Sequence, residues 1–313
     1  MNPRDDSFGD DSTLDPFLKK LPPTSTASAQ IKVDIAAATH CGLVRQNNED
    51  HYLAVRFQRS LETLCTNIAV DTLENSFDEI GYGLLVADGM GGMAAGEVAS
   101  RMALCKLVEL VVNTPDWVMR FNQRTEETIV MQRMTQRFRQ IDDTLRTAAE
   151  GDPTVFGMGT TLTVALSLGC RLLIGHIGDS RAYMMQGKIL RQLTNDHTLR
   201  QVLVDAGVAN PNDPEIQALH HVLTAALGSS GERADPEVLR FQLAPNDQVL
   251  LCTDGLTEMV STEMIASVLN QAGSSKTACD SLIDLALRAG GLDNVTAVLA
   301  RYKFPDQAGH SPN

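Results

Sequence analysis

Hydrophobic positions follow two rhythms along this chain. From Ile31 onward, short aliphatic runs predict strands: IKVDIAAATHCG (31–42), DHYLAVRF (50–57) and GYGLLVADG (81–89), the last flanked by glycine. Over 99–112 (ASRMALCKLVELVV) and 131–149 (MQRMTQRFRQIDDTLRTAA), apolar residues recur at three-and-four spacing, which predicts two long amphipathic helices. Met131 and Met134 in the second read as core packing. Between 159 and 193 the strand rhythm returns in TTLTVALSL, RLLIGHIG, RAYMM and KILRQL, with polar turns that predict antiparallel hairpins. DQVLLCTDG (247–255) and NVTAVLARY (294–302) predict two further strands, separated by helical patterns over about 261–270 and 276–289.

The remaining segments are polar. Residues 1–30 have few large apolar groups to offset the entropy of ordering and predict a flexible N-terminal tail, and 305–313 a flexible C-terminal tail. Residues 58–80 are mixed and acidic, a loop or a hairpin extension, and 198–222 read as helical and then irregular around Pro211 and Pro214. Antiparallel hairpins with helices gathered in separate runs predict an α+β fold, and the absence of alternating βαβ units argues against a Rossmann-type sheet.

Composition narrows the class. The 313 residues are 43% hydrophobic and 21% charged, ample for a large core. With 26 Lys+Arg against 39 Asp+Glu the net charge is −13, a field that repels nucleic acid and anionic membrane and favours cationic partners, metal ions included. The six cysteines (Cys41, Cys65, Cys105, Cys170, Cys252, Cys279) form no C-x-x-C pair and read mostly as small core hydrophobes. An acidic start without an apolar leader, and no apolar run of membrane-spanning length, predict a reduced, soluble, cytoplasmic monomer. On that reading the Asn294-Val295-Thr296 sequon is chance.

Chemistry is concentrated in aspartates at strand ends. VADG (86–89) and CTDG (252–255) each run an apolar strand into Asp-Gly, and Asp179 in HIGDSRAY and Asp293 in GGLDNVT have similar settings. One such aspartate can simply cap a turn. Four together suit a hard divalent cation, which takes oxygen ligands and neutralises carboxylates that would otherwise repel by about 1 to 4 kcal/mol per pair at 4 Å. Glycine after the aspartate leaves room for its own carbonyl to approach the same ion.

The blocks GLVRQNNED (42–50), VADGMGG (86–92), GMGTTLTVAL (157–166), GHIGDSRAY (175–183), LTNDHT (193–198), LTAALG (223–228), LLCTDGLTEMV (250–260) and GGLDNVT (290–296) occur in an order that resembles the type 2C metal-dependent serine/threonine protein phosphatases, their compact bacterial branch most. The resemblance covers about 31–302 and implies a phosphatase catalytic domain over 31–304, with a mobile flap at about 199–222 beside the site. It implies a four-layer α-β-β-α architecture, a central sandwich of two antiparallel sheets flanked by helices on both outer faces.

It also implies a centre of two Mn²⁺ or Mg²⁺ ions, at which an activated water hydrolyses phosphoserine and phosphothreonine on proteins, with no phospho-enzyme. Carried over by motif, Asp88 bridges the ions and the Gly89 carbonyl ligates one. Glu49, with Asp50 beside it, serves one ion, Asp254 and Asp293 hold the other, and Asp179 marks a third, weaker ion. Arg45 matches the phosphate-binding arginine, whose planar fork can grip two oxygens. Because Met90 stands where many eukaryotic relatives carry histidine, a metal-bound water or His197 is left to transfer the proton, although a lone histidine near acids is more often a hydrogen-bonded structural residue. His220 and His221 read as surface or flap residues without a spacing signal. Ala225 replaces a common arginine and 199–222 diverges in wording, so the resemblance does not carry substrate choice. The partners implied are phosphorylated proteins, among them a serine/threonine kinase or its substrates. The rival is a catalytically silent pseudophosphatase scaffold, disfavoured because every acid position is filled; a narrow anti-sigma-factor-type regulator would use the same chemistry.

Overall fold

The structure, a computed structural model, describes residues 25–65, 67, 76–91, 95–113, 124–210, 213–229, 231, 233 and 235–305. Most of the expected N-terminal tail, nearly all of the C-terminal one, Gly92 and part of the 58–80 segment lie outside the described residues. In chain order the elements begin with α1 (Ser25–Gln30), β1 (Lys32–His40), β2 (Asp50–Glu62), β3 (Ser76–Met90), α2 (Ala95–Val112) and α3 (Arg124–Gly151). Five short strands follow, β4 (Gly159–Thr160), β5 (Leu162–Leu168), β6 (Arg171–Ile177), β7 (Arg181–Gln186) and β8 (Ile189–Gln192). The flap region holds α4 (Leu199–Asp205), α5 (Pro214–Gln217) and a 3₁₀ turn at Ala218–His221. The chain closes with β9 (Glu237–Gln242), β10 (Gln248–Cys252), α6 (Asp254–Thr257), α7 (Thr262–Gln271), α8 (Ser275–Arg288) and β11 (Val295–Lys303).

The strands form two sheets, ordered β1-β11-β10-β7-β8 and β2-β3-β5-β6-β9, with β4 paired to β3. Every one of these pairings is antiparallel. Strand alternation then builds three apolar layers. In β11, Val298, Ala300 and Tyr302 face the other sheet while Val295, Ala297 and Leu299 face outward onto helices; in β3, Leu84 and Val86 face inward and Leu85 and Ala87 outward. Strands covered on both faces read as unbroken apolar runs, which is why GLLVA and VLLC carry no alternation.

One outer layer is α2 and α3, whose buried residues include Ala99, Ala103 and Leu107, and Met134, Phe138, Ile141 and Leu145. The other is α7 and α8, started by Ser261 and Ser274, whose side chains accept from the backbone N–H groups of Met264 and Thr277. The result is the expected α+β sandwich with helices outside both sheets. A buried hydroxyl pair, Tyr302 Oη to Ser167 Oγ at 2.9 Å, ties the two sheets across the central layer.

Several details depart from the sequence reading. Residues 25–30, placed in the tail by composition, form α1, where Ser28 is buried and its hydroxyl accepts the Ile80 N–H at 3.2 Å. Of the two readings of 58–80, loop or hairpin extension, the described residues follow the second, with β2 running to Glu62 and β3 starting at Ser76. Strand β9, EVLRFQ, was not anticipated. Cys252 and Cys279 are core residues, whereas Cys65 and Cys105 are exposed; all six thiols are free.

Candidate metal centre

Antiparallel pairing puts the end of one strand beside the start of the next, and the predicted acids occupy those positions at one end of the sandwich. Asp50 opens β2 directly opposite Asp88 near the end of β3. Cys252 at the end of β10 pairs with Ala297 of β11 on one side and Arg181 of β7 on the other. That register brings Asp254, just past β10, close to Asp293 before β11 and to Asp179 before β7, and each is among the charges that act on its neighbours.

The backbone around Asp88 is clamped by hydrogen bonds with Thr160 and Thr161, and its carboxyl meets that of Asp254. Its N–H donates to Thr161 Oγ1 at 3.0 Å, and its carbonyl accepts from Thr161 N–H at 2.9 Å and Thr160 Oγ1 at 2.8 Å. Next in the chain, the Gly89 N–H donates to the Glu49 carbonyl at 3.2 Å. A Cβ at Gly89 would run into the Gly96 carbonyl, and one at Gly96 into the Glu49 carboxylate, so both glycines are needed where α2 begins against this strand.

Asp50 is buried, and its Oδ2 accepts from Thr253 Oγ1 at 2.8 Å and Thr296 Oγ1 at 2.7 Å. Its Oδ1 is sealed from solvent without a hydrogen-bond partner, and so is Oδ1 of Asp254. Such orphaned acceptors inside a protein are costly unless a proton or cation meets them. Burial pushes Asp50 up to about 7 against the two threonine bonds, with Asp254 and Asp293 adding to the rise. Burial likewise lifts Asp254 to about 6 and Asp179 to about 8, and it holds Asp88 well above the usual carboxylate range, with Asp50, Asp254, Asp179 and Asp293 all pushing the same way. Glu49 is raised by burial and lowered by Arg45. Acids this crowded and this dry suit divalent cations, so the donor set fits the Mn²⁺ or Mg²⁺ that the sequence implies.

Arg45 stands at the rim with its side chain 58% exposed and donates Nη2–H to Asp293 Oδ2 at 2.6 Å. That bond, with the charges of Asp293, Glu49 and Asp88, holds the guanidinium above its ordinary value. His197 is held against Gly178, the residue before Asp179. Its Nδ1 accepts the Gly178 N–H at 3.1 Å, its ring lies against His176 with centroids 4.9 Å apart, and the charges acting on it are Glu237 and Asp196. Burial depresses it, and through its bonds to Gly178 it braces the Gly178–Asp179 turn.

Several supporting residues had no sequence signal. Thr253 and Thr296 hold Asp50, and Thr39 Oγ1 meets Thr296 Oγ1 at 2.7 Å. Asn294 is buried: its Oδ1 accepts the Glu49 N–H at 2.7 Å and its Nδ2 donates to the carbonyls of Cys41 and Asn47. That amide is fully used and inaccessible, which disposes of the sequon. Arg181 of the GDSR block forks onto Asp196 at 2.6 to 3.1 Å, a structural pair that secures β7.

The raised carboxyls set a pH dependence. Without metal, the folded chain binds protons on Asp50, Asp179 and Asp254 at pH values where the unfolded carboxylates, near about 4, have lost them. These groups therefore destabilise the metal-free fold as pH rises, and its melting temperature should increase as pH falls from about 8 to about 6.5. Below about 6.5 the buried His176, held near 3, opposes the trend, because the unfolded imidazole takes up a proton that the folded one refuses. Calorimetry in chelator across this range tests the sign; a melting temperature that falls on going from about 8 to 6.5 would contradict it.

Comparison with known proteins follows this geometry. Residues 70–283 match the family described as Protein phosphatase 2C. The serine/threonine protein phosphatase PstP of Mycobacterium tuberculosis is 35% identical over 266 residues, 85% of this chain, which spans 44% of that relative's length. The serine/threonine phosphatase stp of Listeria monocytogenes is 35% identical over 217 residues, 69% of this chain and 82% of its own. A crystal structure of the catalytic domain of PstP in complex with two manganese ions superposes with a TM-score of 0.67 at 34% identity, covering 87% of this chain and 99% of that one. On the family match, the sequence identity to its relatives and the whole-fold likeness, this chain belongs to the protein phosphatase 2C family.

Proposed function

We propose that this chain is a divalent-metal-dependent phosphatase acting on phosphoserine and phosphothreonine in proteins. The observation that carries the reading is the convergence of Asp50, Asp88, Asp179, Asp254 and Asp293 at one end of the sandwich, with two sealed, unpartnered carboxylate oxygens and Arg45 at the rim. The names of its relatives and the two manganese ions of PstP support it. Asp88, the Gly89 carbonyl, Glu49 and Asp50 would hold one ion, Asp88, Asp254 and Asp293 the other, and Asp179 with Asp254 a third. Such ions, when bound, supply neutralising charge and make water acidic enough to act as a nucleophile near neutral pH.

The chain's own residues do the rest. Thr253 and Thr296 fix the Asp50 carboxyl, and the clamp on the Asp88 backbone points its carboxyl into the cluster. Arg45 is exposed enough to exchange Asp293 for a phosphate monoester, gripping two oxygens and orienting phosphorus for in-line attack. On this reading residues 31–304 are the catalytic domain and 199–222 its flap, which meets Glu258 at the end of α6 through His220 and His221. We place the protein in the cytoplasm as a signalling monomer that opposes a serine/threonine kinase or works on that kinase's substrates. In keeping with this, all six thiols are free, and no helix among the described residues is long and apolar enough to cross a membrane. No observation favours a silent scaffold. Release of phosphate from phosphothreonine and phosphoserine peptides in Mn²⁺, lost in chelator and restored by added Mn²⁺, is the expected result; release that persists in chelator would overturn the reading.

A further inference from the structure

The flap contains a second cluster of ligand atoms, adjoining the aspartates through Glu258, whose charge acts on Asp254 and Asp179. His220 and His221 close the 3₁₀ turn at Ala218–His221, and Glu258 caps the C-terminal end of α6, the turn that begins with Asp254. His220 Nε2 and His221 Nδ1 each stand 3.1 Å from the same atom, Glu258 Oε1. Among the described residues these three side chains are a set whose ligand atoms all lie within 4.8 Å of one another.

Two features point to a cation at their centre. Glu258 Oε1 is sealed from solvent and takes no hydrogen bond of acceptable geometry, although both rings face it. His220 Nδ1 donates to the Gln217 carbonyl, which fixes the tautomer and leaves the Nε2 lone pair aimed at a carboxylate oxygen. Lone pair against lone pair is repulsive unless something positive lies between them. The two rings pack with centroids 3.6 Å apart, so both present a nitrogen to the same carboxylate oxygen. One divalent ion satisfies all three atoms.

We propose that His220, His221 and Glu258 bind a borderline divalent ion, Zn²⁺ in preference to Mg²⁺, that pins the flap to the end of α6. Two imidazoles and one carboxylate, with a fourth position for water, are a zinc-type donor set; hard Mg²⁺ prefers oxygen ligands and its own waters. The base of the flap is already closed by Leu199 N–H to the Val222 carbonyl at 2.8 Å and Thr224 N–H to the His197 carbonyl at 2.8 Å. An ion at the 3₁₀ turn adds a second fixed point and restricts the segment between them.

The test uses the full chain dialysed against Zn²⁺ in a large excess of Mg²⁺, which competes for the all-oxygen centre. Zinc content and zinc X-ray absorption are then measured. Wild type is expected to retain one zinc more per chain than a His220→Ala/His221→Ala variant, with scattering from two imidazoles. Glu258→Gln, which keeps both rings and their packing, is expected to weaken zinc binding by at least about tenfold while circular dichroism stays unchanged. Equal zinc content in wild type and both variants, or absorption with oxygen scatterers alone, would place the ion among the aspartates and overturn the proposal. Neither readout depends on phosphatase turnover, so the two readings fail independently.

Discussion

Replacing Asp88 with Asn should abolish hydrolysis of p-nitrophenyl phosphate in Mn²⁺, by more than about a thousandfold in kcat/KM, and at the same time raise the melting temperature of the metal-free protein. The loss is on the order of 4 kcal/mol of transition-state stabilisation, the scale expected when a group that shapes the metal centre is neutralised. The gain has the opposite origin. Asp88 is held above the usual carboxylate range first by burial and then by four neighbouring aspartates, so its charge is a liability in the empty fold that an isosteric amide removes. Steady-state kinetics together with calorimetry in chelator measure both. A variant that remains active and metal-replete would remove Asp88 from the centre, and one that melts lower in chelator would refute the account of repulsion.

Metal removal from the wild type should have the second large effect. An ion that binds only the folded state at a thousand times its Kd contributes about 4 kcal/mol. For a domain of this size each kcal/mol moves the melting temperature by roughly 2 to 4 °C, so passing from saturating Mn²⁺ to chelator should lower it by on the order of 10 °C. The shift should be larger at pH 8 than at pH 6.5, because protons partly replace the ions on Asp50 and Asp179 as pH falls. Melting curves at several Mn²⁺ concentrations give the dependence; a midpoint indifferent to metal would argue that the acids do not share ions.

The sandwich was legible because strands buried on both faces write long apolar runs, and the catalytic end was legible because those runs stop at Asp-Gly. Strand β9 escaped because it lies at a sheet edge, with most of its side chains only half-buried, so EVLRFQ shows neither a run nor an alternation. Thr253 and Thr296 escaped for a different reason. Threonine is at home in any strand, and only the fold reveals that these two hydroxyls meet on one carboxylate. His197 was open to two readings, proton transfer or a hydrogen-bonded structural residue, and only the fold shows its Nδ1 accepting a backbone N–H. The His220–His221 pair had no periodicity to betray it, since its partner Glu258 arrives from another element.

The hairpin of β2 and β3 has a consequence for what can be attached to this protein. Thirteen residues of β2 pair with β3 in one unbroken register from Asp50↔Asp88 to Glu62↔Ser76. At about 3.3 Å per residue, the last pair, Glu62↔Ser76, lies roughly 40 Å along the hairpin from Asp50 and Asp88. A reporter or tether grafted beyond that pair would therefore be separated from the carboxylates by the whole length of the hairpin, and lengthening the chain there would leave the pairing of Asp50 with Asp88 undisturbed.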